Sequence, residues 1–103
     1  MAGLACGEVS FNAWQILDEG ASDFVTVSES AVIPTMKLLA RGVDDDQTVE
    51  AGESAVAGMA ALILSRQSAI ESQRLGIGSG SRVLLIGTEG ATDPALYRAL
   101  VAR

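Results

Sequence analysis

Histidine is absent from this chain of 103 residues. That removes every Ser-His and Cys-His nucleophile pair and the usual zinc sites. Cys6 is the only cysteine, so no internal disulfide can form, and a reducing, cytoplasmic setting is expected. With no histidine to act as its base, Cys6 does not suggest a thiol enzyme. Basic residues are scarce as well: 7 Lys and Arg stand against 13 Asp and Glu, for a net charge of −6. Such a surface repels phosphate backbones and carries no basic stripe, so no nucleic acid partner is expected. No apolar run reaches the length of a membrane span, and no signal-peptide charge pattern precedes one, so no membrane partner is expected either. Aromatic residues are limited to Phe11, Trp14, Phe24 and Tyr97, which leaves burial to Ala, Val, Ile and Leu.

What is present is apolar and short. At 103 residues the chain is one domain at most, near the lower end for a well-buried α/β core. Its mean hydropathy of +0.33 is high for so small a domain and hints at surface that wants a partner. The organising stretch is Arg82 to Pro94. Val83 to Ile86 is a continuous apolar run suited to a strand buried on both faces. Gly87 and Gly90 free the backbone for a turn, Thr92 or Asp93 can cap a helix, and Pro94 fits that helix's first turn. In open α/β sheets ligands sit beyond the carboxyl ends of strands, where Thr88 and Glu89 would then lie.

Met1 to Val9 is loop-like. Ser10 or Asn12 can cap a helix running to about Glu19, closed by Gly20. Phe24 to Val27 is a second strand candidate. Ser28 and Glu29 open a helix whose Val32, Met36 and Leu39 fall at helical spacing, and Pro34 should shift its start or kink its first turn. Asp44, Asp45 and Asp46 lack the alternate ligands and glycine of a calcium loop, so they suggest a solvated acidic loop, and no metal ligand is assigned. Gly52-Glu53-Ser54 opens a third helix, from about Ala55 to Gln67, apolar almost all round and suited to burial. A short helix through Ile70 to Leu75 ends at Gly76. Gly76-Ile77-Gly78-Ser79-Gly80 precedes a strand candidate rather than following one, so it fits a flexible loop better than a dinucleotide fingerprint. The final helix runs from Pro94 towards Arg103.

The expected class is therefore α/β: a partial sheet of two strand candidates, parallel if paired, flanked by helices. Two strands are too few for a free-standing sheet. The pattern predicts that residues 1–103 form a single partial domain, a slice of a larger α/β protein.

Two clusters combine a hydroxyl and a carboxylate beside glycine: Gly52-Glu53-Ser54 and Gly87-Thr88-Glu89-Gly90. With Ala2-Gly3-Leu4, Cys6-Gly7-Glu8, Ala13-Trp14, Gly58 and the run Thr88 to Asp93, they resemble the fold-type II pyridoxal-phosphate enzymes. That group includes tryptophan synthase β chain, threonine synthase and threonine deaminase, and the likeness is nearest to its diaminopropionate ammonia-lyase branch.

The resemblance implies a slice of the tryptophan-synthase-β-like fold and a cofactor-binding role. It places Gly3 beside the cofactor ring and the Glu53-Ser54 pair near the ring's far edge. A hydroxyl in the late turn would face the pyridine nitrogen, at Thr88 or one place earlier at Gly87. A neutral partner there tempers the electron sink and suits β-elimination. The parent reaction is α,β-elimination of 2,3-diaminopropionate to pyruvate and ammonia.

Ala55 departs from the family's glycine at that place. The Schiff-base lysine, the phosphate-cradling loop and the acid/base carboxylates belong to the part of the family before Met1, and Lys37 suggests only a surface charge on a helix. A carboxyl-terminal fragment is thus expected, with no catalytic residue of its own, inactive alone and not binding pyridoxal phosphate covalently. Its expected partner is a second copy or the missing amino-terminal portion. The competing expectation is a non-catalytic binding or assembly module that kept the scaffold.

Overall fold

A computed structural model describes residues 1–102. Five α-helices are present among them: α1 (Phe11–Gly20), α2 (Val32–Arg41), α3 (Ala57–Gln67), α4 (Ala69–Arg74) and α5 (Pro94–Ala102). Single 3₁₀ turns cover Ala2–Leu4 and Glu29–Ala31.

The local signals act where they stand. Ser10 caps α1 by accepting the Ala13 amide at 3.4 Å, and Ser68 caps α4 through the Glu71 amide at 3.2 Å. Asp93 caps α5, its Oδ1 accepting from Ala95 at 3.1 Å and Leu96 at 3.0 Å. Pro34 sits in the first turn of α2, where a missing N–H breaks no helical bond, and the Glu29–Ala31 turn leads into that helix. Gly42, at φ 71°, ends α2, with its amide bonded to the Leu38 carbonyl at 3.0 Å.

The expected partial sheet does not form. The chain is helical, and no strand or sheet occurs among the described residues. Phe24–Val27 and Val83–Ile86 carry no regular secondary structure, and neither supplies the other with a ladder. A strand exists only through bonds to a neighbour distant in sequence, which an apolar run cannot provide for itself. The second run is also not buried: Leu84 is 86 % and Ile86 80 % exposed. The expected helix from Ala55 likewise begins later, at Ala57, because Gly52 to Ala55 forms a turn closed by the Ala55 amide on the Gly52 carbonyl at 3.1 Å.

The core is small. Val32, Met36, Ala51 and Val56 are buried together, with Leu39, Ala55, Tyr97, Leu100 and Val101 packed round them. It lies where α2 meets α5 and the 51–56 segment, while α3 packs on α2 and α4. Within α3 only Ala60 and Ser65 are buried, and Leu64 is exposed. α1 buries no residue, and its Trp14 ring pairs with a tilted Phe24 ring at 6.3 Å between centroids. The accessible surface is 7798 Å², against about 5,500 Å² for a folded monomer of this mass. No helix among the described residues is long and apolar enough to cross a membrane.

Candidate functional site

Three segments far apart in sequence converge: the first turn at Ala2–Leu4, the turn at 50–55, and the glycine-bracketed turn at 87–91. The Gly3 amide donates to Ser54 Oγ at 3.0 Å. The Gly52 amide donates to the Glu89 carbonyl at 3.0 Å, and the Ala91 amide to Glu50 Oε1 at 3.2 Å.

Glycine is required at two of these contacts. A Cβ on Gly3 would stand 2.7 Å from Ser54 Oγ, and one on Gly52 would fall onto Glu89 Oε1 and the Gly90 carbonyl. Gly87 packs against Ala55, whose Cβ and carbonyl oxygen would each lie 3.3 Å from an added Cβ. Ala55 therefore leaves no slack for a side chain at Gly87, in the late turn.

Of the expected site residues, Gly3 and Ser54 are bonded to each other. Glu53 is adjacent and lines a cleft of about 50 Å³ with Gly52, Glu89, Asp93, Tyr97 and Met36. Thr88 is exposed, makes no hydrogen bond among the described residues and does not line the cleft, although Gly87 and Glu89 on either side of it contact the 50–55 turn. The Met1 ammonium lies 2.8 Å from Glu29 Oε2 and 3.8 Å from Glu53 Oε2. Its hydrogen bond to Glu29 holds its pKa above the usual amino-terminal value, with smaller support from the charges of Glu29, Glu53 and Glu89.

Glu50 was not legible as part of this site. It closes the acidic 43–50 segment and looks like one more solvated charge, and its partner Ala91 is 41 residues away.

The donor set suits one edge of a planar cofactor: two hydroxyls, at Ser54 and Thr88, beside bare backbone at Gly3 and Gly52. It does not suit a phosphate, because Glu53 and Glu89 face the same wall. The cleft holds a few waters at most, and Gly3, Ser54 and Thr88 lie outside its lining.

In sequence and in fold the chain is similar to a pyridoxal-phosphate-dependent lyase. Diaminopropionate ammonia-lyase of Escherichia coli is 36 % identical to the chain over 106 aligned positions, which cover 98 % of this chain and 26 % of the relative. The Salmonella typhimurium enzyme of the same name is 32 % identical with the same coverage. A crystal structure of the E. coli enzyme in complex with D-serine matches with a TM-score of 0.89 and 34 % identity, over 98 % of this chain and 27 % of that one. No family model matches the chain. The chain is similar to the diaminopropionate ammonia-lyases along nearly its whole length and matches a carboxyl-terminal portion of them. It spans about a quarter of the length of the curated relatives it matches.

Proposed function

We propose that this chain supplies one wall of the pyridoxal-phosphate site of a diaminopropionate ammonia-lyase and does not turn over substrate by itself. The observation that carries the reading is the convergence of Gly3, Glu53, Ser54 and the Thr88 turn, in a chain alignable to the lyases along nearly its whole length. When bound, pyridoxal phosphate supplies the electron sink that stabilises negative charge at the substrate α-carbon.

The chain's own residues would hold and orient that group. Gly3, docked on Ser54, would stand beside the ring. Ser54 Oγ, already accepting from Gly3, keeps its O–H free to donate. Thr88 offers the ring nitrogen a neutral hydroxyl. Glu53 places negative charge where the cationic end of a diamino acid would be favoured, which fits 2,3-diaminopropionate. Lys37, the only lysine, lies within α2 and does not line the cleft, so no lysine of this chain stands at the wall to bind the cofactor covalently.

The partner in this reading is the amino-terminal portion of the lyase, or a second copy of the chain, in the cytoplasm. The surplus of accessible surface supports a covering partner and also favours the second reading, an assembly module that retained the scaffold.

The test is to add pyridoxal phosphate to the purified chain, with and without the amino-terminal portion of a related lyase, and to follow cofactor absorbance and pyruvate release. Pyruvate is expected only from the combination. Turnover by the chain alone would overturn the first reading, and association without any cofactor absorbance would select the second.

A further inference from the structure

We infer that Glu50 is a positioning residue for the cofactor wall, fixing the Thr88 hydroxyl relative to Ser54 by holding the 87–91 turn against the 50–55 turn. This rests on the proposed reading that the wall faces pyridoxal phosphate.

Thr88 is exposed and unbonded among the described residues, so its position is set by what holds its neighbours. Gly87 abuts Ala55, and the Glu89 carbonyl accepts the Gly52 amide at 3.0 Å. Beyond Glu89, the backbone tightens through the Thr92 amide on the Gly90 carbonyl at 3.0 Å. The Ala91 amide inside that bend turns to Glu50 Oε1 at 3.2 Å. Two of these three tethers are backbone or glycine packing; only the last is made by a side chain. A carboxylate is a strong acceptor for an amide, so this tether is the firmest side-chain restraint on the turn. Ser54 lies four residues after Glu50 on the same turn, so one tether sets the spacing of both hydroxyls.

Glu50→Ala removes the acceptor, whereas Glu50→Gln keeps a carbonyl oxygen at the same reach without the charge. Two measurements separate the inference from the reading beneath it. The first is amide hydrogen exchange at Ala91 and across Gly87–Gly90 in the cofactor-free chain. The second is pyridoxal-phosphate affinity, by absorbance titration, of the chain combined with the amino-terminal portion.

Glu50→Ala is expected to speed Ala91 exchange and weaken cofactor affinity by about fivefold each, and Glu50→Gln to restore both to within about twofold. Unchanged exchange in Glu50→Ala overturns the inference whatever the cofactor does. Faster exchange with unchanged cofactor affinity overturns the positioning role. Faster exchange in Glu50→Ala, beside a wild-type combination that binds no pyridoxal phosphate, overturns the proposed function, and the cofactor role of Glu50 with it, while leaving the tether itself established.

Discussion

The Gly3 amide donates to the Ser54 hydroxyl at 3.0 Å, joining residues 51 positions apart. No room remains between them, because a Cβ on Gly3 would meet the same oxygen at 2.7 Å. The first turn of the chain is thereby docked on the segment that carries Glu53, and the two share one surface.

Ser54→Ala removes the acceptor and leaves the Gly3 amide to water. The expected loss of stability is about 0.5–1.5 kcal/mol, the net value of an ordinary hydrogen bond, and at the lower end because the pair is exposed. Gly3 should exchange its amide hydrogen faster, while amides of α4 stay unchanged. Urea denaturation and residue-resolved exchange read the two effects, and equal exchange at Gly3 in both proteins would refute the docking role.

Gly52→Ala drives a methyl onto Glu89 Oε1 and the Gly90 carbonyl. The Glu89 side chain can swing away, but the Gly90 carbonyl is backbone and moves only with the turn. Overpacking of this kind costs about 1–3 kcal/mol. The measurable outcome is a lower denaturation midpoint together with weaker pyridoxal-phosphate binding by the combined protein. A variant as stable as the parent would mean that the turn is loosely held.

Gly87→Ala meets Ala55 at 3.3 Å, a tight contact that a few tenths of an ångström relieve. About 1 kcal/mol of destabilisation is expected. Ala55→Gly in the same chain should recover part of it, because the Ala55 Cβ goes while its carbonyl oxygen stays at 3.3 Å, giving a favourable coupling in a double-mutant cycle. Additive effects of the two substitutions would show that the contact carries no strain.

The purified chain should self-associate. Its accessible surface exceeds that of a folded monomer of equal mass by about 2,300 Å². Phe11, Ile16, Phe24, Leu84 and Ile86 are each exposed. At about 25 cal/mol per Å², burying even a few hundred Å² outweighs much of the cost of association. Sedimentation equilibrium over a range of concentrations should give a mass that rises with concentration, and a mass independent of concentration once the amino-terminal portion is bound. A dilution-independent monomer of the chain alone would remove the argument.

The helices were legible because their signals are local. Ser10, Ser68 and Asp93 each cap through an amide two or three residues on, and Pro34 and Pro94 sit in first turns where the chemistry of proline permits them. The strands were misread for the opposite reason. Phe24–Val27 and Val83–Ile86 have the apolar composition of buried strands, but composition supplies no partner for their amides and carbonyls.

The candidate site divides along the same line. Sequence by itself determined the residue types available: hydroxyls at Ser54 and Thr88, glycines where backbone must approach, no histidine, and Lys37 as the only amine side chain. Its likeness to a pyridoxal-phosphate family drew Gly3, Glu53, Ser54 and Thr88 into one expectation. Only the tertiary structure decided that Gly3 bonds Ser54, that Glu89 accepts from Gly52, and that Glu50 reaches Ala91. Those contacts span up to 51 residues, and their existence depends on how α2, α5 and the 51–56 segment pack round Met36 and Val56. A short-range pattern fixes which groups a turn carries; the packing of a shared core fixes which turns meet.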